Sequence, residues 1–309
     1  MTTTAGTPGA GPVLRRRRRR LGEQVILLLL GAAAVVSVLV TIGIVVTLVT
    51  EGAPFFADVS FIDFLTGTVW QPVNGSYGMM PLLIASLWIA GIATVVAVPL
   101  GIGAAIYLSE YATEPFRKVV KPILELLAGM PTIVLGFFAL ESITPALQDI
   151  GVLPDGQLFS ALSAGIVVGI LITPLISSLS EDAMRAVPRA MREGAYGVGA
   201  TKRVVSTRVV LPAALSGVMA AVVLGVSRAV GETMAVTLAA GTQPILSGDP
   251  RDPMQTITAY IVAISKGEAT RGSTQYTSIF AVGIVLFVVT LAINLVAVRF
   301  VRRFRTVYQ

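Results

Sequence analysis

The chain has 309 residues, 54% of them hydrophobic and only 13% charged, with a mean hydropathy of +0.82 and a formal net charge of +6. A soluble domain carries about a quarter charged residues, so this composition belongs to an integral membrane protein. Cys and His are absent, which excludes thiolate and imidazole metal ligands, disulfides, a Cys nucleophile and a Ser/His/Asp triad.

Residues 1–14 are small and rich in Gly, Pro and Thr, and they lead into Arg15 to Arg20. Residues 1–20 therefore read as a disordered, Arg-rich leader, with the membrane domain over 21–309. The arginines stand directly before an apolar run, a place that suits orientation or lipid contact better than nucleic acid. That run is longer than a signal-peptide core of about 7–15 residues and lacks a clear cleavage site, so it is a retained span. A hydrocarbon core about 30 Å thick needs about 20 helical residues. Six segments qualify: 24–50, 79–108, 122–147, 158–180, 212–240 and 276–299. Lipid offers the backbone no partners, so all six are helices and the fold is an all-α, six-span polytopic one.

Positive residues cluster in alternate connections: Arg15 to Arg20, then Arg117, Lys118 and Lys121, then Arg185 to Arg208, then Arg299 to Arg305. The opposite connections hold only Arg251, Lys266 and Arg271. Both termini are expected in the cytoplasm of a cell membrane. Pro99, Pro131 and Pro174 permit kinks, and Gly165 with Gly169 would let another helix approach closely, although ordinary packing explains each equally well. Glu125 stands four residues after Lys121, which suggests a surface ion pair, and Glu141 lies near the outer end of its span. In the outer segment Met254, Ile257, Ile261 and Ile264 recur at helical spacing, as in a short amphipathic helix at the outer interface that either caps the bundle or touches a partner.

Between the fourth and fifth spans the chain turns polar. On a helix that Pro188 opens and the turn before it, Met184, Val187, Met191, Ala195 and Val198 line one face. Gly199 suits a left-handed stop, Thr201 an N-cap for a second short helix, and Pro212 opens the next span. Two short helices at a glycine make a rigid knob able to sit in a partner's cleft; periodicity alone would equally allow a linker resting on headgroups. The segment Gly194 to Gly199 is followed by Ala200 and Thr201, where a phosphate loop needs Lys and Ser/Thr, so no ATP site is expected here.

The fifth span contains Ser227-Arg228-Ala229-Val230-Gly231-Glu232-Thr233. An Arg at mid-membrane costs about 2.5–3.5 kcal/mol on insertion scales, which favours use over ornament. Arg228 and Glu232 are four apart, so a continuous helix would place them on one face, either as a structural ion pair or as a relay to a passing oxyanion. Ser227, Thr233 and Thr237 would add neutral donors.

Glu193, Ala195, Gly199, Val209, Leu211 and Pro212 fall in register with the "EAA" loop of ABC-importer permeases, which this segment resembles, with Gly194 in place of the second alanine. The run Arg228-x-x-Gly-Glu-Thr-Met-Ala-Val236 is similar to the signature of PstC-type permeases of phosphate importers. Phe64 to Pro72, Pro99 to Gly103, Glu125 to Pro131 and Ala281 to Asn294 agree in kind. The resemblance implies a type I ABC importer permease without cofactor or ATPase site. Its implied partners are a second permease, two copies of a cytoplasmic ATPase and an extracytoplasmic phosphate-binding protein. It implies ATPase coupling through Glu193, Ala195, Gly199, Leu211 and Pro212, and a substrate pathway at Arg228, Glu232, Thr233 and Ser227. Alternatives are a permease for phosphonate or sulfate, or an ATP-independent transporter or channel, for which no repeat across two halves is evident. An intramembrane enzyme lacks the needed His, Cys or paired carboxylates.

Overall fold

A computed structural model describes residues 21–303, so the leader 1–20 and Arg305 lie outside the described residues. Helix α1 (Leu21–Gly52) is uninterrupted; its part up to Thr47 is a unit by itself, and the chain from Leu48 onward is a second compact unit.

In the second unit, short helices α2 (Phe55–Asp58) and α3 (Phe61–Thr66) lead to a hairpin of β1 (Trp70–Gln71) and β2 (Ser76–Tyr77), with Trp70 opposite Tyr77. Phe55, Phe64, Trp70, Tyr77 and Tyr260 form a buried aromatic nest whose rings meet largely edge to face, the geometry their quadrupoles favour. A Cβ on Gly78 would stand 2.3 Å from the carbonyl carbon of Gly67, so only glycine allows these two backbones to touch.

Helices α4 (Met80–Ile106) and α8 (Ala161–Arg185) form the centre of the bundle. Close approach follows from small residues: a Cβ on Gly165 would lie 2.6 Å from Cβ of Ile92, and one on Gly169 2.8 Å from Cβ of Val96. Ile176 of α8 fills the space left by Gly101 on one side and Gly225 on the other. Pro99 and Pro174 sit inside unbroken helices, whereas Pro131 marks a true break.

There α5 (Glu114–Ala128) stops, and α6 (Thr132–Phe138) continues through a π-helical turn into α7 (Thr144–Asp149), with a bend of 90° between the two parts. After α8 come α9 (Arg189–Gly197), α10 (Lys202–Val204), α11 (Leu211–Ala213), α12 (Leu215–Val230) and α13 (Met234–Ala240), and then α14 (Ile257–Ala263) and α15 (Thr274–Arg303). Among the described residues four helices are long and apolar enough to cross a membrane, and six spans result if each bent pair counts as one.

Two of the predicted spans differ from a continuous helix, the first being the third span, 122–147, with its 90° bend at Gly129–Pro131. The fifth predicted span, 212–240, is not one helix: the chain bends by 71° at Ala214 and breaks again over Gly231–Thr233, where Thr233 leaves helical geometry at φ −121 and ψ −63. The short outer helix forms as α14 with its apolar side against the protein: Ile257 and Ile264 are buried and Ile261 half-buried against the aromatic nest, and Met254 just before it is buried in the central core.

Candidate coupling elbow and anion site

Pro188 (φ −55, ψ 137) turns the chain out of α8 into α9. Gly199 then ends α9 at φ +83, with Ala200 N–H bonded to Ala195 O at 3.1 Å and Gly199 N–H to Tyr196 O at 2.9 Å, the paired bonds of a left-handed glycine stop. Thr201 is extended and its carbonyl accepts from Val205 N–H at 3.0 Å, yet its hydroxyl caps nothing. The second limb, α10, runs through a π-helical turn into α11.

Met184, Val187, Val205, Val210 and Ala214 form the buried floor of this elbow, with Met191, Ala195 and Leu211 packed on it. Glu193, Gly199 and Pro212 face outward. Val198 departs from the expected apolar face: it is 85% exposed, because α9 ends at Gly197 and the turn swings the side chain off the floor.

Charge secures the surroundings. Lys121 reaches Glu181 at 2.7 Å and also Asp182, and Arg117 and Arg185 approach Glu181 at 3.9 and 3.7 Å. The expected Lys121–Glu125 pair is not made, since the first turns of α5 pack against the last turns of α8 and Lys121 turns to the 1%-exposed Glu181. Arg192, which the spacing of apolar residues did not single out, donates to Val187 O at 2.6 Å, to Met184 O at 2.8 Å and to Glu110 at 3.0 Å.

A second constellation forms where two broken helices meet. Gly136 of α6 lies against Leu238 and Ala235 of α13, so the break at Gly129–Pro131 and the break at Gly231–Thr233 are neighbours. Arg228, on the last turn of α12, donates from Nη2 to Ala128 O at 3.1 Å. That carbonyl is an orphan at the C-terminus of α5, where the helix carries partial negative charge. Glu232 lies within the break and is 8% exposed; no ion pair joins it to Arg228 among the described residues, because Gly231 ends the helix that i,i+4 pairing requires. Its backbone carbonyl, freed by the break, accepts from Thr258 Oγ1 at 2.8 Å. Thr233 and Thr237 hydroxyls turn back to Gly231 O at 3.2 Å and Thr233 O at 2.7 Å. Ser227 donates to Oδ1 of Asn294 on α15 at 2.6 Å, and Asn294 is exposed within an apolar stretch of that helix. Asn294 and the Ala128 carbonyl were missed from sequence; an amide inside an apolar run was the signal for the first, and only the fold reveals the second.

Comparison with known proteins gives one family. Residues 97–306 match the description "Binding-protein-dependent transport system inner membrane component". The chain is 35% identical over 259 residues to "Probable ABC transporter permease protein YqgH" of Bacillus subtilis, covering 82% of this chain and 83% of that protein. It is 38% identical over 253 residues to "Phosphate transport system permease protein PstC" of Xylella fastidiosa, covering 76% and 77%. Among solved structures, a chain of a bacterial alginate ABC transporter in complex with a pentasaccharide-bound periplasmic protein aligns with TM-score 0.60 at 18% identity, over 92% of this chain and 98% of that one. A chain of the MetNI methionine ABC transporter aligns with TM-score 0.56 at 18% identity, over 77% and 100%. Both share the fold.

Proposed function

The chain belongs to the family of binding-protein-dependent transport system inner membrane components, and from that membership we propose that it forms one wall of a pathway for inorganic phosphate in an ATP-driven importer. It is a permease subunit; ATP is hydrolysed on a separate subunit that docks on the elbow through Glu193, Ala195, Gly199, Leu211 and Pro212. A second permease completes the pathway, two copies of the ATPase drive it, and an extracytoplasmic phosphate-binding protein delivers the ion. The alternation of positive connections supports a cytoplasmic elbow and cytoplasmic termini.

One observation carries the phosphate reading: Arg228 sits at the junction of two broken helices with a single side-chain hydrogen bond among the described residues, to Ala128 O. A guanidinium has five N–H donors in a planar fork that matches two phosphate oxygens, so most of its capacity is open. Broken helices inside a membrane bundle are tolerated where they line a cavity or bury against protein, and they present polar backbone to a passing ion. Ser227 and Thr233 line the same junction, and Glu232 keeps negative charge close by, so that phosphate is held weakly enough to leave. Arg228→Ala should abolish uptake of radiolabelled phosphate in cells that depend on this subunit, with assembly intact. Import at the parental rate would refute the assignment.

A further inference from the structure

The elbow is continuous in the chain with α8 through Pro188 and with α12 through α11, but not with α4. Both covalent links are bends, at Pro188 and at the 71° turn before α12, and bends yield under load. Other attachments are not covalent: Ala105 of α4 shares the elbow's buried apolar floor, with Ile102 and Ile106 packed on it, and a charge contact stands beyond them. The guanidinium of Arg192 donates from Nε and Nη2 to Oε1 of Glu110 at 3.3 and 3.0 Å, and Glu110 lies in the π-helical turn Tyr107–Tyr111 that ends α4. The pair is sheltered, with side-chain exposures of 18% for Arg192 and 5% for Glu110. Ser109 Oγ donates to the same carboxylate at 3.0 Å. The other limb of the elbow grips the same turn: Nζ of Lys202 stands 4.9 Å over the ring of Tyr111.

We propose that Arg192 and Glu110 are positioning residues that fasten the elbow to α4, so that α4 moves with it as one body when the ATPase closes; this rests on the reading of the elbow as the ATPase dock. The remaining bonds of Arg192, to the carbonyls of Met184 and Val187, tie off the end of α8 and are explained by helix termination alone. The contact with Glu110 is different, because it reaches another element and satisfies no helix end. Helix α4 is the long partner of α8, and its glycine at 101 rests on Ile176, so a displacement of α4 acts on the centre of the bundle. An isolated contact between charged groups at a surface would be weak, but removing one partner of a sheltered, hydrogen-bonded pair leaves the other uncompensated.

Glu110→Gln separates the two roles of Arg192, since it removes the charge contact and leaves the carbonyl bonds in place. In proteoliposomes that hold the complete importer, phosphate uptake per ATP hydrolysed should fall about tenfold, within the range of measured coupling between sites. The ATPase should still copurify. The chain has no Cys, so Tyr107→Cys and Tyr196→Cys, both at exposed positions, accept spin labels cleanly. The distance between them should stay narrow and unchanged from the nucleotide-free to the ATP-trapped state, and broaden in Glu110→Gln. An unchanged uptake per ATP in Glu110→Gln, or a label distance that shifts with ATP in the parent, overturns the proposal. Loss of the ATPase from Glu110→Gln also overturns it, since the pair would then only hold the elbow in shape. Copurification indifferent to Glu193→Arg is a separate result and would sink the docking reading.

Discussion

Arg228 shows how much a single side chain discloses and where that disclosure stops. Its position in an apolar run marks it as costly, and cost marks it as used, so both it and Glu232 were legible as intramembrane charges. Their mutual placement was not. Four-residue spacing promises a shared helical face, but Gly231 ends α12, and the guanidinium turns instead to Ala128 O, a hundred residues away in the chain. The triplet Gly231-Glu232-Thr233 carried the hint of a break, because glycine and threonine both weaken a helix. Planar donation distinguishes arginine from a point charge, so Arg228→Lys should retain charge yet lower phosphate uptake about tenfold, in keeping with the poor exchange of these residues at forked sites. Initial rates at several phosphate concentrations will test it. Parental rates with lysine would mean that charge alone suffices.

At the scale of elements, the elbow is the part best anticipated by local rules. A helix opened near a proline, stopped by a left-handed glycine and followed by a second short limb is set by contacts within a few residues, which is why Gly199 at φ +83 falls where the pattern demands. No atom lies within 4 Å of a Cβ placed on Gly199, so Gly199→Ala suffers no clash. Its penalty is conformational, about 1–2 kcal/mol for an L residue held in that region. The variant should unfold at a lower temperature in detergent and retain less ATPase on purification, whereas an unchanged Tm would show that the stop adapts. Val198 marks the limit of periodicity: the pattern extends the apolar face one step past the end of the helix, and the turn exposes that side chain. The same limit applies to Lys121, whose partner was sought four residues away on α5 and stands on α8 instead.

For the whole molecule, the consequence is dependence. The proposed anion site lies at a junction of broken helices, where a second permease would complete the pathway, and ATP hydrolysis belongs to a separate subunit. Reconstituted alone into liposomes without nucleotide, the chain should pass no phosphate; sustained flux there would overturn the transport scheme. Addition of the second permease, the ATPase, the binding protein and ATP should restore it.

Membrane residence, the number of apolar segments and the location of the elbow were determined by the sequence alone, because hydropathy, charge clustering and turn chemistry are properties of neighbouring residues. Which helices break, which carbonyl holds Arg228, and that Arg192 reaches Glu110 were decided only by tertiary structure. Those facts depend on pairs far apart in the chain, and no local pattern reports which helix end packing will bring beside which charge.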